Sequence, residues 1–204
     1  MPLGIVWPQD QLTLLYHMEN ANDSGPNYCD LANSGVSFAR SKFGQGAVFD
    51  STSDRLYSSY PYLDPEEANF TGMFWLKVNT APTEARYIWT ASTIAGEAVV
   101  YYNNILAKYV LRVGSTSVSF PASPTVCEWH HVAFSVGTGV VLYWDGAVVA
   151  TGARGLGGGG TDLFSFGFNG GSALYCAIDE AVFFLDIKTP QWIRKYYAWA
   201  TGKL

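Results

Sequence analysis

The sequence predicts an all-β protein, a two-sheet antiparallel β-sandwich that carries one short C-terminal helix. Short runs in which apolar and polar residues alternate with a period of two recur along the chain, the pattern of strands buried on one face. Turn residues separate them, in keeping with 21 glycines and 9 prolines in 204 residues. Hydrophobic residues make up 49% and aromatics 16%, enough to fill a large core, and all-β chains of this length commonly form one domain. A single domain over residues 12–204 is therefore expected, preceded by an N-terminal arm of residues 1–11.

From the N-terminus, the strand-like runs are residues 12–18, 36–38, 47–49, 70–78, 87–91, 98–102, 109–113, 117–120, 129–136, 140–144, 147–151, 163–168 and 177–185. Between them stand NDSGPN, GQG, GST, GTG, DG and the glycine run GLGGGG. Strands this numerous and evenly spaced point to a sandwich or barrel. The glycine run lacks the Lys-Ser/Thr and the strand-to-helix setting of a phosphate loop, so residues 155–160 are expected to form a flexible hairpin connection. Only TPQWIRKYYAWATG reads as a helix: Thr189 caps it, Pro190 fits the first turn and Gly202 follows its end. Trp192, Tyr196 and Trp199 stand at i, i+4 and i+7, a wide apolar stripe suited to covering core or a sheet edge.

Charge and composition exclude several function classes. A net charge of −5, with no block of lysines or arginines, removes the electrostatic footprint that nucleic acid requires. No apolar run reaches the roughly 18 residues of a membrane span, and the start lacks a basic region followed by an apolar one, so neither membrane insertion nor a signal peptide is expected. Cys29, Cys127 and Cys176 are odd in number and lack any C-x-x-C. Buried free thiols are the expected state, with one disulfide plus a free cysteine as the alternative. Only 14% of residues are charged, and strands such as AVVYY and AVFFL are apolar on both faces. These features predict self-association or attachment to a particle.

The stretch EWHHVAFSVGTGVVLYWDG, from Glu128 to Gly146, gathers two adjacent histidines, two tryptophans, a glutamate and an aspartate. On a strand over 129–136, His130 shares a side with Val132 and Phe134, whereas His131 shares the other with Trp129. The two imidazoles therefore cannot hold one metal ion between them. Asp145-Gly146 suits a type I′ turn closing a hairpin. His130 is expected to matter for stability, and His131 less if its face is open to solvent.

Trp129-x-His131-Val132-Ala133, Tyr143-x-Asp145-Gly146 and Ile178-Asp179-Glu180 resemble the laminin G-like jelly rolls of the concanavalin A-like lectin/glucanase superfamily. LTLLYHMENANDSG, RSKFGQGAVFDSTSDRLY and FTGMFWLKV are similar to the opening half of such domains. The sequence departs from the usual wording at Glu19-Asn20, where Asp-Gly is common, and at Ser51, where glycine is common. The resemblance implies two stacked antiparallel sheets with a concave face flanked by loops, and no single activity. It also implies a structural calcium where the first and last strands meet, with Glu19 and Asp179 as acidic ligands and backbone carbonyls completing the shell. The alternative is a solvated Glu19 and an Asp179 that bonds backbone.

Glycoside hydrolysis needs two carboxylates flanking the scissile bond, which the glucanases of this superfamily carry as E-x-D-x-x-E on one strand. No such run exists here, and no G-x-S-x-G or local Cys/His signature replaces it. The chain is thus expected not to be an enzyme. Sugars stack on aromatic rings with polar neighbours reading their hydroxyls, so Tyr57, Tyr60 and Tyr62, together with Tyr101, Tyr102, Asn103 and Asn104, are the candidate ligand contacts. The wording LLYHMEN and SKFGQGAVFD is similar to phage-borne members. It implies a virion structural, decoration or tail-associated protein located in the virion, whose partners are other virion proteins or copies of itself. The alternative is a carbohydrate-binding or adhesion module of a secreted or cell-surface protein, with surface glycans as partners.

Overall fold

The computed structural model describes residues 12–60, 62–66, 69–121, 125–167 and 172–203; the expected arm, residues 1–11, lies outside them. The strands are β1 Leu12–Tyr16, β2 Ala32–Ser34, β3 Ser37–Arg40, β4 Gln45–Phe49, β5 Arg55–Ser58, β6 Phe70–Val78, β7 Arg86–Ser92, β8 Glu97–Asn103, β9 Lys108–Val113, β10 Thr116–Ser119, β11 Trp129–Val136, β12 Gly139–Trp144, β13 Ala147–Ala153, β14 Leu163–Gly167 and β15 Cys176–Phe184, followed by helix α1 Pro190–Ala200. They form two antiparallel sheets. The eight-stranded sheet runs β13-β12-β11-β6-β15-β4-β3, with β1 also paired to β15, and the seven-stranded sheet runs β10-β9-β8-β7-β14-β5-β2. Every sequence-predicted run that lies wholly within the described residues contributes to a strand. The sequence reading missed β2 and β5, which are short and largely polar.

Inward-facing residues of both sheets form the main core. Phe70, Phe74, Trp89, Phe134, Phe164, Phe166 and Phe183 are fully buried in it. Trp89 lies at its centre, with ring centroids 5.0 Å from Phe134 and 5.2 Å from Phe183, and each such side chain contributes about 1.5–3 kcal/mol by burial. Gly72 in β6 makes room for this packing, since a Cβ there would lie 2.6 Å from Phe134 and 2.7 Å from Phe183.

A second core lies on the outer face of the eight-stranded sheet, beneath α1. Thr189 caps the helix by accepting from the Trp192 N–H, Pro190 begins it, and Gly202 follows it at φ 67°. Ile193 and Tyr196 pack on Leu12, Leu15, Met73, Ala133, Tyr143, Val182 and Phe184. The helix thus covers a sheet face rather than an edge. It also covers Val182 and Phe184 of AVFFL, while Leu185 stays exposed.

Two further expectations are corrected. The glycine run is packed in part rather than an open connection: Gly158 bridges to Gly96, the Gly160 N–H donates to the Thr93 carbonyl, and a Cβ on Gly159 would collide with the Thr93 oxygen, while Gly157 and Gly160 have open space around their Cβ positions. Glycine is needed at Gly159 because backbone meets backbone. The three cysteines are free, but only Cys176 is buried; Cys29 is half-buried and Cys127 exposed.

Candidate functional site

The two histidines do face opposite ways, but their environments reverse the expectation. His131 is the fully buried one, enclosed by Trp75, Tyr196 and Tyr197 at centroid distances of 5.2, 5.1 and 6.1 Å because α1 lies over it. Both ring nitrogens lack a hydrogen-bond partner among the described residues, and burial pushes the imidazole pKa down to about 3. His130 is half-buried. Its Nδ1 lies 2.8 Å from Asp145 Oδ2 and its Nε2 lies 3.1 Å from the Thr125 hydroxyl.

Asp145 also accepts the His131 backbone N–H at 2.8 Å. Burial opposes ionisation of this carboxyl, yet its bonds to His130 and the His131 N–H hold its pKa below the ordinary value. Asp145 and Gly146 have φ of 49° and 78°, as a type I′ turn requires. The hydroxyl–imidazole–carboxylate line resembles a nucleophilic triad, but the Thr125 hydroxyl donates to Glu128 at 2.5 Å. With its proton directed to Glu128, Thr125 is not activated by the imidazole in this arrangement, and the line ties a loop to the β12–β13 hairpin.

The other outward face belongs to the seven-stranded sheet. Cross-strand register places Tyr57, Ser165, Thr90, Val99, Arg112 and Ser117 in one transverse row and Arg55, Tyr87, Tyr101, Val110 and Ser119 in the next. Their neighbours Leu56, Phe166, Trp89, Val100 and Leu111 point into the main core, so alternation turns these two rows outward. Ser165, Thr90, Val99 and Val110 form a fully buried floor amid larger, partly exposed side chains. On one side the Arg55 guanidinium lies 4.1 Å over the Tyr57 ring. On the other, Tyr87 and Tyr101 stack at 6.0 Å, with Arg112 5.9 Å over Tyr101 and paired to Glu97. The Ser165 hydroxyl is buried without a hydrogen-bond partner among the described residues.

Of the candidate ligand contacts, Tyr57 and Tyr101 stand on this face. Tyr102 does not: it points inward and packs edge-on against Tyr109 at 5.4 Å, a core residue by strict alternation with Tyr101. Tyr60 and Tyr62 pair at 5.3 Å beyond β5, where Tyr62 also packs on Phe164 and Tyr60 is exposed. Asn103 accepts the Ile105 and Leu106 N–H groups at 3.0 Å each and so shapes the β8–β9 turn, leaving Asn104 exposed at its tip. Tyr87, Arg55, Arg112 and Glu97 were missed. Glu97 is the one carboxylate on the outward face of these strands among the described residues, and it is held by Arg112.

Glu19 and Asp179 reach the same turn. Asp179 is fully buried and accepts the Phe43 N–H at 2.9 Å, while exposed Glu19 lies near the adjacent Gly44. Burial pushes the Asp179 pKa up to about 6 against that hydrogen bond. The neighbouring Glu180 sits at a bulge of β15, at φ 48°, and turns to His17 Nδ1 at 3.0 Å, an interaction that raises the imidazole pKa. Among the described residues no three His, Cys, Asp or Glu side chains converge on one point. A calcium shell of six to eight oxygens at this turn would need backbone carbonyls beside the two carboxylates.

No well-characterised protein sequence matches the chain. Among solved structures it is similar to domain 4 of AbnA, a GH43 extracellular arabinanase from Geobacillus stearothermophilus, in complex with arabinotriose. The TM-score is 0.77 at 18% identity, over 91% of this chain and 97% of that one. It is also similar to the binding domain of Paraclostridial Mosquitocidal Protein 1, with TM-score 0.72 and 12% identity over 93% of this chain and 52% of that one. For Trypanosoma rangeli sialidase in complex with sialic acid the TM-score is 0.71 at 12% identity, over 95% and 34%. The chain thus spans about half of the toxin domain and a third of the sialidase. A family model described as the concanavalin A-like lectin/glucanases superfamily matches residues 50–194, more than half of the chain, and the protein belongs to that superfamily.

Proposed function

We propose that the chain is a non-catalytic glycan-binding module that holds a sugar chain across the outer face of its seven-stranded sheet. The observation that carries this reading is the pattern on that face: small hydroxyl-bearing residues on the middle strands, flanked by Arg55–Tyr57 and by Tyr87–Tyr101–Arg112. Rings stack on the apolar faces of sugars, and the paired charges at the edges of the face read their polar groups. Tyr57 and Tyr101 are separated by three strand spacings, about 14 Å, a span suited to several sugar units rather than one. The arabinanase domain, nearly all of which shares this fold, was solved with arabinotriose. A lone, arginine-paired Glu97 offers no second carboxylate for hydrolysis.

The test is a glycan array that includes arabino-oligosaccharides, followed by titration calorimetry on the best ligand. Tyr101→Ala and Tyr57→Ala are each expected to weaken binding at least tenfold with the fold intact. An array without a single hit, or affinity that survives both substitutions, overturns the proposal.

The virion role is the second reading, favoured by the wording LLYHMEN and SKFGQGAVFD and by the exposed apolar residues Ile105 and Leu156. Density for this chain at symmetric positions on a particle supports it. A structural calcium at the Phe43–Gly44 turn is a separate proposal, supported by the meeting of Glu19 and Asp179 there. A melting temperature that rises in millimolar calcium over excess EDTA supports that ion, and an unchanged one removes it.

A further inference from the structure

At the end of the sandwich, between the β6–β7 connection and the segment leading into β15, lies a cavity of about 170 Å³ lined by Thr80, Pro82, Thr83, Arg86, Leu174 and Tyr175. Arg86 is nearly buried, with 13% of its side chain exposed, and its Nη1 is buried with no hydrogen-bond partner among the described residues. Its Nη2 pairs with Glu84 at 3.3 Å, and that carboxylate is 70% exposed. The guanidinium lies 5.6 Å over the Tyr175 ring. A buried cationic donor without an acceptor is costly, and in a chain of net charge −5 such a group is not accounted for by general attraction to polyanions.

We infer that this cavity is a second binding site, taking the carboxylate of a single acidic sugar residue of the glycuronate class. Arg86 lines the cavity, and once Glu84 gives way its planar guanidinium can match a carboxylate in two parallel hydrogen bonds. The Tyr175 ring, Pro82 and Leu174 present an apolar wall to the sugar ring, and the Thr80 and Thr83 hydroxyls supply polar partners at its rim. The volume lies below the roughly 300 Å³ of a drug-sized pocket, so one ring is held rather than a chain. No lysine joins Arg86 in the lining, which suits a monoanion better than a phosphate dianion. Glu84 acts as a stand-in that an incoming carboxylate displaces. The site shares no residue with the two outward rows of the seven-stranded sheet and does not depend on them.

The experiment is amide-shift titration of the 15N-labelled chain with D-glucuronate, D-glucose and inorganic phosphate. Glucuronate is expected to shift Thr83, Arg86 and Tyr175 and to bind at least tenfold tighter than glucose or phosphate. Glu84→Gln, an exposed change, removes the competing carboxylate and should tighten glucuronate binding several-fold; Arg86→Gln should abolish it. Tyr101→Ala, which damages those rows, should leave it in place, so the two sites fail independently. Equal affinity for glucose, phosphate binding as tightly as glucuronate, or glucuronate binding that persists in Arg86→Gln overturns the inference. Should Arg86→Gln not fold, an unaltered affinity in Glu84→Gln does so.

Discussion

Two buried groups on the outer face of the eight-stranded sheet titrate in opposite senses, and their cancellation can be exposed by substitution. His131 has its pKa lowered from 6.5 to about 3. Its contribution to stability is present above pH 6.5 and is lost as pH falls towards 3, because the unfolded chain binds the proton first. Asp179 has its pKa raised from 3.8 to about 6; its contribution is present below pH 3.8 and is lost as pH rises through 6. Each alone gives a slope of about 1.4 kcal/mol per pH unit within its window, and between pH 4 and 6 the slopes have opposite signs. In this range Asp179→Asn, which keeps an oxygen for the Phe43 N–H, should make stability rise with pH more steeply than in the wild type. The difference accumulates to about 2–3 kcal/mol over the two units. His131→Leu should do the reverse, and it forfeits no hydrogen bond. Urea unfolding at half-unit pH steps measures the slopes. If the wild type and Asp179→Asn run parallel between pH 4 and 6, the carboxyl is not held protonated and the reasoning fails.

Other expectations follow from packing and hydrogen bonding. Gly72→Ala drives a methyl into the Phe134 and Phe183 rings and should cost about 1–3 kcal/mol, seen as a lower urea midpoint at constant slope. Gly159→Ala should destabilise through backbone contact with Thr93, which a larger thermal shift than that of Gly160→Ala would reveal, since Gly160 has open space around its Cβ position. A double-mutant cycle of His130→Ala and Asp145→Asn should give a coupling of about 1–2 kcal/mol, unaffected by zinc. A coupling that vanishes on chelation would point to a metal instead.

The strands were legible because each alternates a core residue with an outward one, as Phe70, Gly72, Phe74 and Leu76 do against Thr71, Met73, Trp75 and Lys77. β2 and β5 escaped notice because edge positions leave ANS and RLYS little to bury. The helix announced itself through Thr189, Pro190 and Gly202, but its seat did not. Nothing in the local pattern of β11 distinguishes an outward His131 in solvent from one beneath Tyr196 and Tyr197, since those partners lie more than 60 residues away in sequence. On the candidate site, Tyr101 could be picked out as a strand aromatic, and Tyr57 only as one of three neighbouring tyrosines, since β5 was missed. Tyr102 was offered beside Tyr101 although adjacent strand residues point to opposite faces. Tyr87 was hidden by the irregularity between Tyr87 and Trp89: strict alternation puts Tyr87 on the core side with Trp89, and the shift turns it outward opposite Tyr101. The Glu97–Arg112 pair spans the β8–β9 hairpin, a register that only the folded sheet defines.

The central claim is that sugars lie across the outer face of the seven-stranded sheet. Amide-shift mapping of the 15N-labelled chain with the best array ligand tests it most directly. The account predicts the largest shifts along the two outward rows, at Tyr57, Ser165, Thr90, Val99, Tyr101 and Arg112, with α1 and the eight-stranded sheet unmoved. Shifts confined to the β11–β12 and β12–β13 hairpins or to α1, with those rows silent, would contradict it.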